Sequence, residues 1–172
     1  WEQNSLLSDK LLETYPHMLV MKSISKSYGV PGIRLGILCS ADVEIIAKIK
    51  KMVSIWNLNS FCEFFMQIYT KYEKDYKKAC DRFIEERNDF EVKLRTIPFI
   101  RVIPSQANYF LVEVLHPFTA KTLVLRMLKE HNILMRDCSG KGGFDGKQYM
   151  RIAVRNHEVN TKLIEALKKL GQ

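Results

Sequence analysis

The stretch that decides the fold is Ser23-Ile24-Ser25-Lys26-Ser27-Tyr28-Gly29-Val30-Pro31-Gly32-Ile33-Arg34-Leu35-Gly36. It lies between two apolar runs of strand length, residues 18–22 (MLVMK) and 34–40 (RLGILCS). A lysine therefore stands between two hydroxyls at the end of a strand. A loop with two glycines and a proline then brings an arginine back eight residues later. Hydroxyls and a guanidinium near one lysine are the parts needed to hold a phosphate beside an amine nucleophile. Cationic neighbours and partial desolvation lower an amine's pKa, which lets it attack an aldehyde near neutral pH.

Working outward, residues 5–14 place Leu6, Leu7, Leu11 and Leu12 at helical spacing, and Tyr15-Pro16 stops that helix. Asp42 can cap a helix carrying Val43, Ile46, Ile49 and Val53 on one side. Residues 54–59 (SIWNLN) read as a connector, and two long helical patterns follow, over 61–72 and 76–95. Beyond Pro98 the texture changes. Residues 100–103 and 108–114 read as strands, 118–131 as a helix, 133–136 and 149–154 as strands, and Asn156 caps a last helix. The glycine-rich segment 140–146 does not lead from a strand into a helix, so it reads as a hairpin connector rather than a phosphate loop. The order β-β-α-β-β-α predicts three or four strands with helices on one face. The fold class expected is α/β, with an α+β carboxyl-terminal part, divided into residues 1–59 and 60–172.

Composition narrows the function classes. Of 172 residues, 47% are hydrophobic and 27% charged, which excludes a disordered or low-complexity chain. The formal net charge of +8 could attract an anionic partner, but the densest basic stretch, residues 71–82 (KYEKDYKKACDR), is interleaved with acids. It reads as a solvated helix face, so no nucleic-acid partner is expected. No apolar stretch approaches about 18 residues, and no membrane partner is expected. Cys39, Cys62, Cys80 and Cys138 form no Cys-x-x-Cys pair, so the reducing cytoplasm is the expected setting. The four histidines share no ligand spacing, and no metal is expected. The chain begins without Met and in mid-pattern, which reads as part of a longer protein.

The pattern S-x-S-K-x-x-G-x-P-G-x-R-x-G at residues 23–36 resembles the Schiff-base lysine segment of fold-type I pyridoxal-phosphate enzymes. It is most similar to the branch holding histidinol-phosphate aminotransferases and threonine-phosphate decarboxylases. Trp56-x-x-Asn59 resembles that family's bend into its small domain. Ser105 to Phe110 (SQANYF), Ile133 to Asp137 (ILMRD) and Tyr149 to Val154 (YMRIAV) resemble three of its strands. The resemblance covers essentially the whole chain and places it at the carboxyl-terminal part of the enzyme, under half of a full chain. It implies the end of a cofactor-binding large domain over 1–59 and a small α+β domain over 60–172.

The resemblance also implies roles. Lys26 would bond to the aldehyde of pyridoxal 5'-phosphate and later act as the base at the substrate's α-carbon. Ser23, Ser25 and Arg34 would bind the cofactor's phosphate. Arg151 would hold the substrate carboxylate and Arg136 a distal anionic group, with Asn108 positioning the carboxylate side. Tyr28 and Trp56 read as packing residues. The family's upstream glycine-rich turn, ring-stacking aromatic and pyridine-nitrogen aspartate precede this segment, so these residues alone should be nearly inert. The implied activity is amino transfer between an amino acid or amino-phosphate and a 2-oxo acid, in a cytoplasmic homodimer. Decarboxylation of a phosphorylated amino acid, or a non-catalytic dimerisation or docking lobe, remains open.

Overall fold

The computed structural model describes residues 5–171, and the chain divides into two compact units, Trp1–Lys78 and Ala79–Gln172. In the first unit, α1 (Asp9–Thr14) starts at Ser8, whose side chain accepts from the Leu11 amide. Strands β1 (Val20–Lys22) and β2 (Ile37–Cys39) pair antiparallel, Val20 opposite Cys39 and Lys22 opposite Ile37. Between them lie α2 (Ile24–Ser27) and a 3-10 turn, Pro31–Ile33. Strand β2 starts later than the apolar run predicts because residues 34–36 close the loop instead. Arg34 takes a left-handed backbone (φ 55°). Gly36 lies so close to β1 that a Cβ there would meet the Lys22 carbonyl oxygen at 3.3 Å.

Helix α3 (Val43–Met52) is capped as its sequence requires, Asp42 Oδ1 accepting from the Ile45 amide at 2.9 Å. Its expected apolar side packs only through its middle, Ile46 and Ile49, and not at its ends. Val43 is 77% exposed and Val53 falls outside the helix, while Ile45, Ile46 and Ile49 are half-buried. The two helices expected over 61–72 and 76–95 are one: α4 runs unbroken over Ser60–Leu94. Nothing between Glu73 and Asp75 lacks an amide or carries proline's ring, so the ladder simply continues. At about 1.5 Å per residue it is roughly 50 Å long. The break between units falls within it, between Lys78 and Ala79.

The second unit holds a four-stranded antiparallel sheet in the order β3-β4-β6-β5, formed by β3 (Ile100–Val102), β4 (Tyr109–Val114), β5 (Arg136–Asp137) and β6 (Tyr149–Ala153). Alternation assigns the faces. Phe110, Val112 and Val114 of β4 and Met150 and Ile152 of β6 are buried. They pack with Phe90 and Leu94 of α4, Leu123 and Met127 of α5 (Ala120–His131), and Leu163, Ile164 and Leu167 of α6 (His157–Leu170). Phe90 meets Phe110 edge-on, ring centroids 6.1 Å apart. The opposite face is open at Arg101, Tyr109, Arg136 and Arg151, while Tyr149 on it is buried beside the Phe144 ring. Strand β5 is shorter than predicted, because Asn132 and Ile133 finish α5: their amides donate to Leu128 and Met127 carbonyls, each at 3.1 Å. Residues 140–146 do connect a hairpin, β5 to β6.

Candidate active-site residues

The lysine loop is closed by one buried hydroxyl. Ser25 is 2% exposed. Its amide and its Oγ both donate to the Leu35 carbonyl at 3.0 Å, and its Oγ accepts from the Leu35 amide. Lys26 follows Ser25 and Arg34 precedes Leu35, so these three bonds draw the lysine and arginine backbones to one closure. Ser25 was expected among the phosphate ligands; here its hydroxyl is engaged within the loop. Ser23 N-caps α2 without a side-chain cap bond, and its side chain is exposed. Lys26 and Arg34 are also exposed and have no carboxylate partner among the described residues. Residues 23–36 contain no Asp or Glu. A set of donors with an amine, a hydroxyl and a guanidinium fits an aldehyde that carries a phosphate.

In the second unit the structure brings Arg136 and Arg151 together, since they face each other across β5 and β6 in direct register. Arg151 also lies opposite Leu111 of β4, and its guanidinium sits 5.1 Å from the Tyr109 ring centroid. All are on the open face of the sheet. Like charges directly opposite each other are destabilising. Arg101 on the same face is paired, Nε donating to Glu113 at 2.7 Å, and that hydrogen bond raises its already high pKa. No carboxylate pairs with Arg136 or Arg151 among the described residues. Two guanidiniums in register without a carboxylate have the chemistry to bind an anion. Asn108 is exposed at the start of β4, its carbonyl accepting from the Val154 amide at 2.9 Å.

Some features were not visible in the sequence. Tyr109 under Arg151 needed the strand register to be seen. Asn59, read as part of a bend, caps α4 and also donates to the Ile33 carbonyl. Trp56, read as packing, is 91% exposed, whereas Tyr28 does pack, among Phe65, Tyr69 and Tyr76. Glu86, Asp89 and His157 bring three ligand-type atoms within 4.8 Å. These already serve one another and their neighbours: His157 Nδ1 is 3.3 Å from Glu86, Lys93 is 2.7 Å from Asp89, and Asn160 donates to Glu86 at 2.7 Å. They tie α6 to α4. A groove of about 380 Å³ lined by His131, Lys162 and Lys169 contains none of the residues expected to act.

Residues 6–167 match the family model for aminotransferase class I and II. The chain is 31% identical over 168 residues to L-serine phosphate decarboxylase of Campylobacter jejuni, covering 96% of this chain and 43% of that one. It is 34% identical over 164 residues to histidinol-phosphate aminotransferase 2 of Archaeoglobus fulgidus, covering 94% and 45%. Among solved structures, a decarboxylase from Sulfurospirillum multivorans superposes with a TM-score of 0.85 at 29% identity, over 98% of this chain and 48% of that one. The chain thus spans less than half the length of each of these relatives. Its fold is that of fold-type I aminotransferases, mixed helix and sheet. With the Lys26 loop and the paired arginines in the places described, the chain belongs to the aminotransferase class I and II family, whose members use pyridoxal phosphate.

Proposed function

We propose that the full-length protein is a pyridoxal-phosphate enzyme acting on an amino acid that carries a phosphate group. The observation that carries this reading is the Arg136–Arg151 register pair. Two adjacent planar forks without carboxylate partners suit a dianion better than a single charge. When bound, the cofactor supplies an electron sink for the bond broken at the substrate's α-carbon. Lys26 would hold the cofactor's aldehyde, and its amine, when free, would carry a proton to or from the substrate's α-carbon. Ser23 and Arg34 hold the cofactor's phosphate, and Ser25 serves them from inside the loop. Asn108 orients the carboxylate side of the substrate. The functional boundary stays at residues 59/60, where the connector after α3 gives way to α4. The cytoplasm and a homodimer complete the proposal, and the free cysteines support the first of these.

Of the two fates of the substrate, we favour loss of the carboxylate. A carboxylate gripped by a guanidinium loses that attraction as its charge departs, which opposes the step. If both arginines take the phosphate, the carboxylate is left without it. The likeness to serine-phosphate decarboxylases supports the same reading. The likeness to histidinol-phosphate aminotransferases supports the second, in which Arg151 keeps the carboxylate, Arg136 takes a distal anion, and the amino group is transferred. The test incubates the full-length, cofactor-loaded protein with phosphoserine, alone and with a 2-oxo acid acceptor. Carbon dioxide released in step with substrate loss is the expected result. A new 2-oxo acid would instead establish amino transfer, and neither product with an intact chromophore would sink both and leave the docking lobe.

A further inference from the structure

Helix α4 holds the lysine loop at two points. Asn59 Nδ2 donates to the Ile33 carbonyl at 2.9 Å while its Oδ1 accepts from the Cys62 amide at 3.0 Å, so the side chain is fixed at both ends. Tyr76, nearly five turns further along, donates its hydroxyl to the Ser27 carbonyl at 2.9 Å. Between these points the Tyr28 ring sits 4.6 Å from Tyr69 and 4.5 Å from Tyr76, centroid to centroid, with Phe65 at 6.1 Å. Ile33 immediately precedes Arg34, and Ser27 immediately follows Lys26. The Ser25–Leu35 bonds fix the other neighbour of each. Lys26 is thus flanked by two fastened residues, and so is Arg34. The latter needs them: a left-handed backbone at a residue other than glycine persists only where its surroundings over-determine it.

We infer that Asn59 and Tyr76 are positioning residues of the cofactor site, through which α4 sets the spacing between the Lys26 amine and the Arg34 guanidinium. The inference rests on the reading of those two residues as cofactor ligands. It assigns a division of labour. Asn59 governs the arginine end of the loop and therefore the phosphate. Tyr76 governs the lysine end and therefore the aldehyde.

The test uses the full-length protein and two probes, pyridoxal 5'-phosphate and pyridoxal, which lacks the phosphate. Asn59→Ser keeps a side-chain oxygen to cap α4 and removes the donor to Ile33. It should weaken pyridoxal phosphate binding about 3- to 10-fold, the loss expected for one hydrogen bond, and leave pyridoxal binding unchanged. Tyr76→Phe keeps the ring cluster and removes only the hydroxyl. It should weaken both probes by a similar factor and slow the appearance of the visible chromophore. Should Asn59→Ser fold poorly, Asn59→Asp preserves the cap and still cannot donate to Ile33, and the same selective loss is expected. A role in stability alone would lower the melting temperature and leave the ratio of the two affinities untouched. An unchanged ratio in the Asn59 variants overturns the inference. Lys26→Ala in the same preparation separates the two levels. If it retains a borohydride-reducible chromophore, the reading of Lys26 itself is wrong. If it loses the chromophore while the Asn59 and Tyr76 variants bind as wild type, only the positioning role fails.

Discussion

The second unit buries a continuous apolar core, and the first does not. Phe90, Leu94, Phe110, Val112, Leu123, Met127 and Leu167 are fully enclosed in the second. In the first, Val20, Leu35 and Cys62 are the buried apolar side chains among the described residues, while Met52, Ile55 and Trp56 stand 85%, 90% and 91% exposed. The first unit is held instead by local closures: the Ser25–Leu35 bonds, the helix caps and the rings around Tyr28. Burial scales with apolar area, whereas hydrogen bonds fix direction. The comparison teaches that this chain keeps its stability in one place and its candidate lysine chemistry in another. Large exposed side chains mark surfaces that meet something else.

The largest expected effect breaks the comparison directly. Phe110→Ala removes a fully enclosed ring that meets Phe90, and it should cost about 3–5 kcal/mol, read as a fall in the urea midpoint. Trp56→Ala removes a larger side chain, yet in this chain it should change stability by less than about 0.5 kcal/mol. In the full-length protein the cost of the Trp56 change should rise to about 2 kcal/mol or more if the rest of the protein covers that indole. A large Trp56 effect in the 172-residue chain would show that the first unit has a core of its own.

The next effect moves from stability to substrate recognition, where the second unit contributes chemistry too. Arg151→Lys keeps the charge and loses the planar fork. In the full-length enzyme it should cost about 2–4 kcal/mol of transition-state binding in kcat/KM, with the cofactor's absorbance little changed. Arg136→Ala should impair phosphate-bearing substrates more than neutral ones. Because the two arginines are in register, the double variant should lose less than the sum of the single losses. Simple additivity would mean that they hold separate groups, which favours amino transfer over decarboxylation.

Much of the second unit was legible because its rules are periodic. Alternation along Tyr109–Val114 and helical spacing through Leu163, Ile164, Leu167 and Leu170 assign inside and outside without any long-range knowledge. The lysine loop was legible for a different reason, a dense motif whose residue types state their chemistry. What the sequence did not reveal depends on pairing at a distance. The register that sets Arg136 against Arg151 is fixed by where α5 ends and β5 begins, three residues beyond a helix closure that reads as strand. Ser25 reads as one more hydroxyl beside a lysine, and only its burial against Leu35 shows that it works inward. The unbroken α4 was missed because a charged, interleaved stretch carries little apolar signal at its middle.

The smallest effect is electrostatic, and it too separates the units, since every ion pair found among the described residues lies in the second. Lys162 donates to Glu158 at 2.7 Å on α6, and Arg126 to Glu130 at 2.8 Å on α5, each four residues apart on a helix. In both cases the hydrogen bond from the cation is the main cause that lowers the carboxyl's pKa from its ordinary 4.5. A carboxyl whose folded pKa lies below its unfolded value adds stability above the unfolded value and loses it as pH falls through the folded one. Acid below about pH 4.5 should therefore weaken the second unit slightly, and less so in high salt, which screens exposed pairs. The two pairs are not equivalent. Glu158 precedes its lysine and sits in the first turn of α6, where the helix dipole favours a negative charge, while Glu130 follows its arginine in the last turn of α5, where the dipole opposes it. Glu158→Gln should flatten the acid limb of stability against pH more than Glu130→Gln does. If the order is reversed, helix position is not what decides the worth of these pairs.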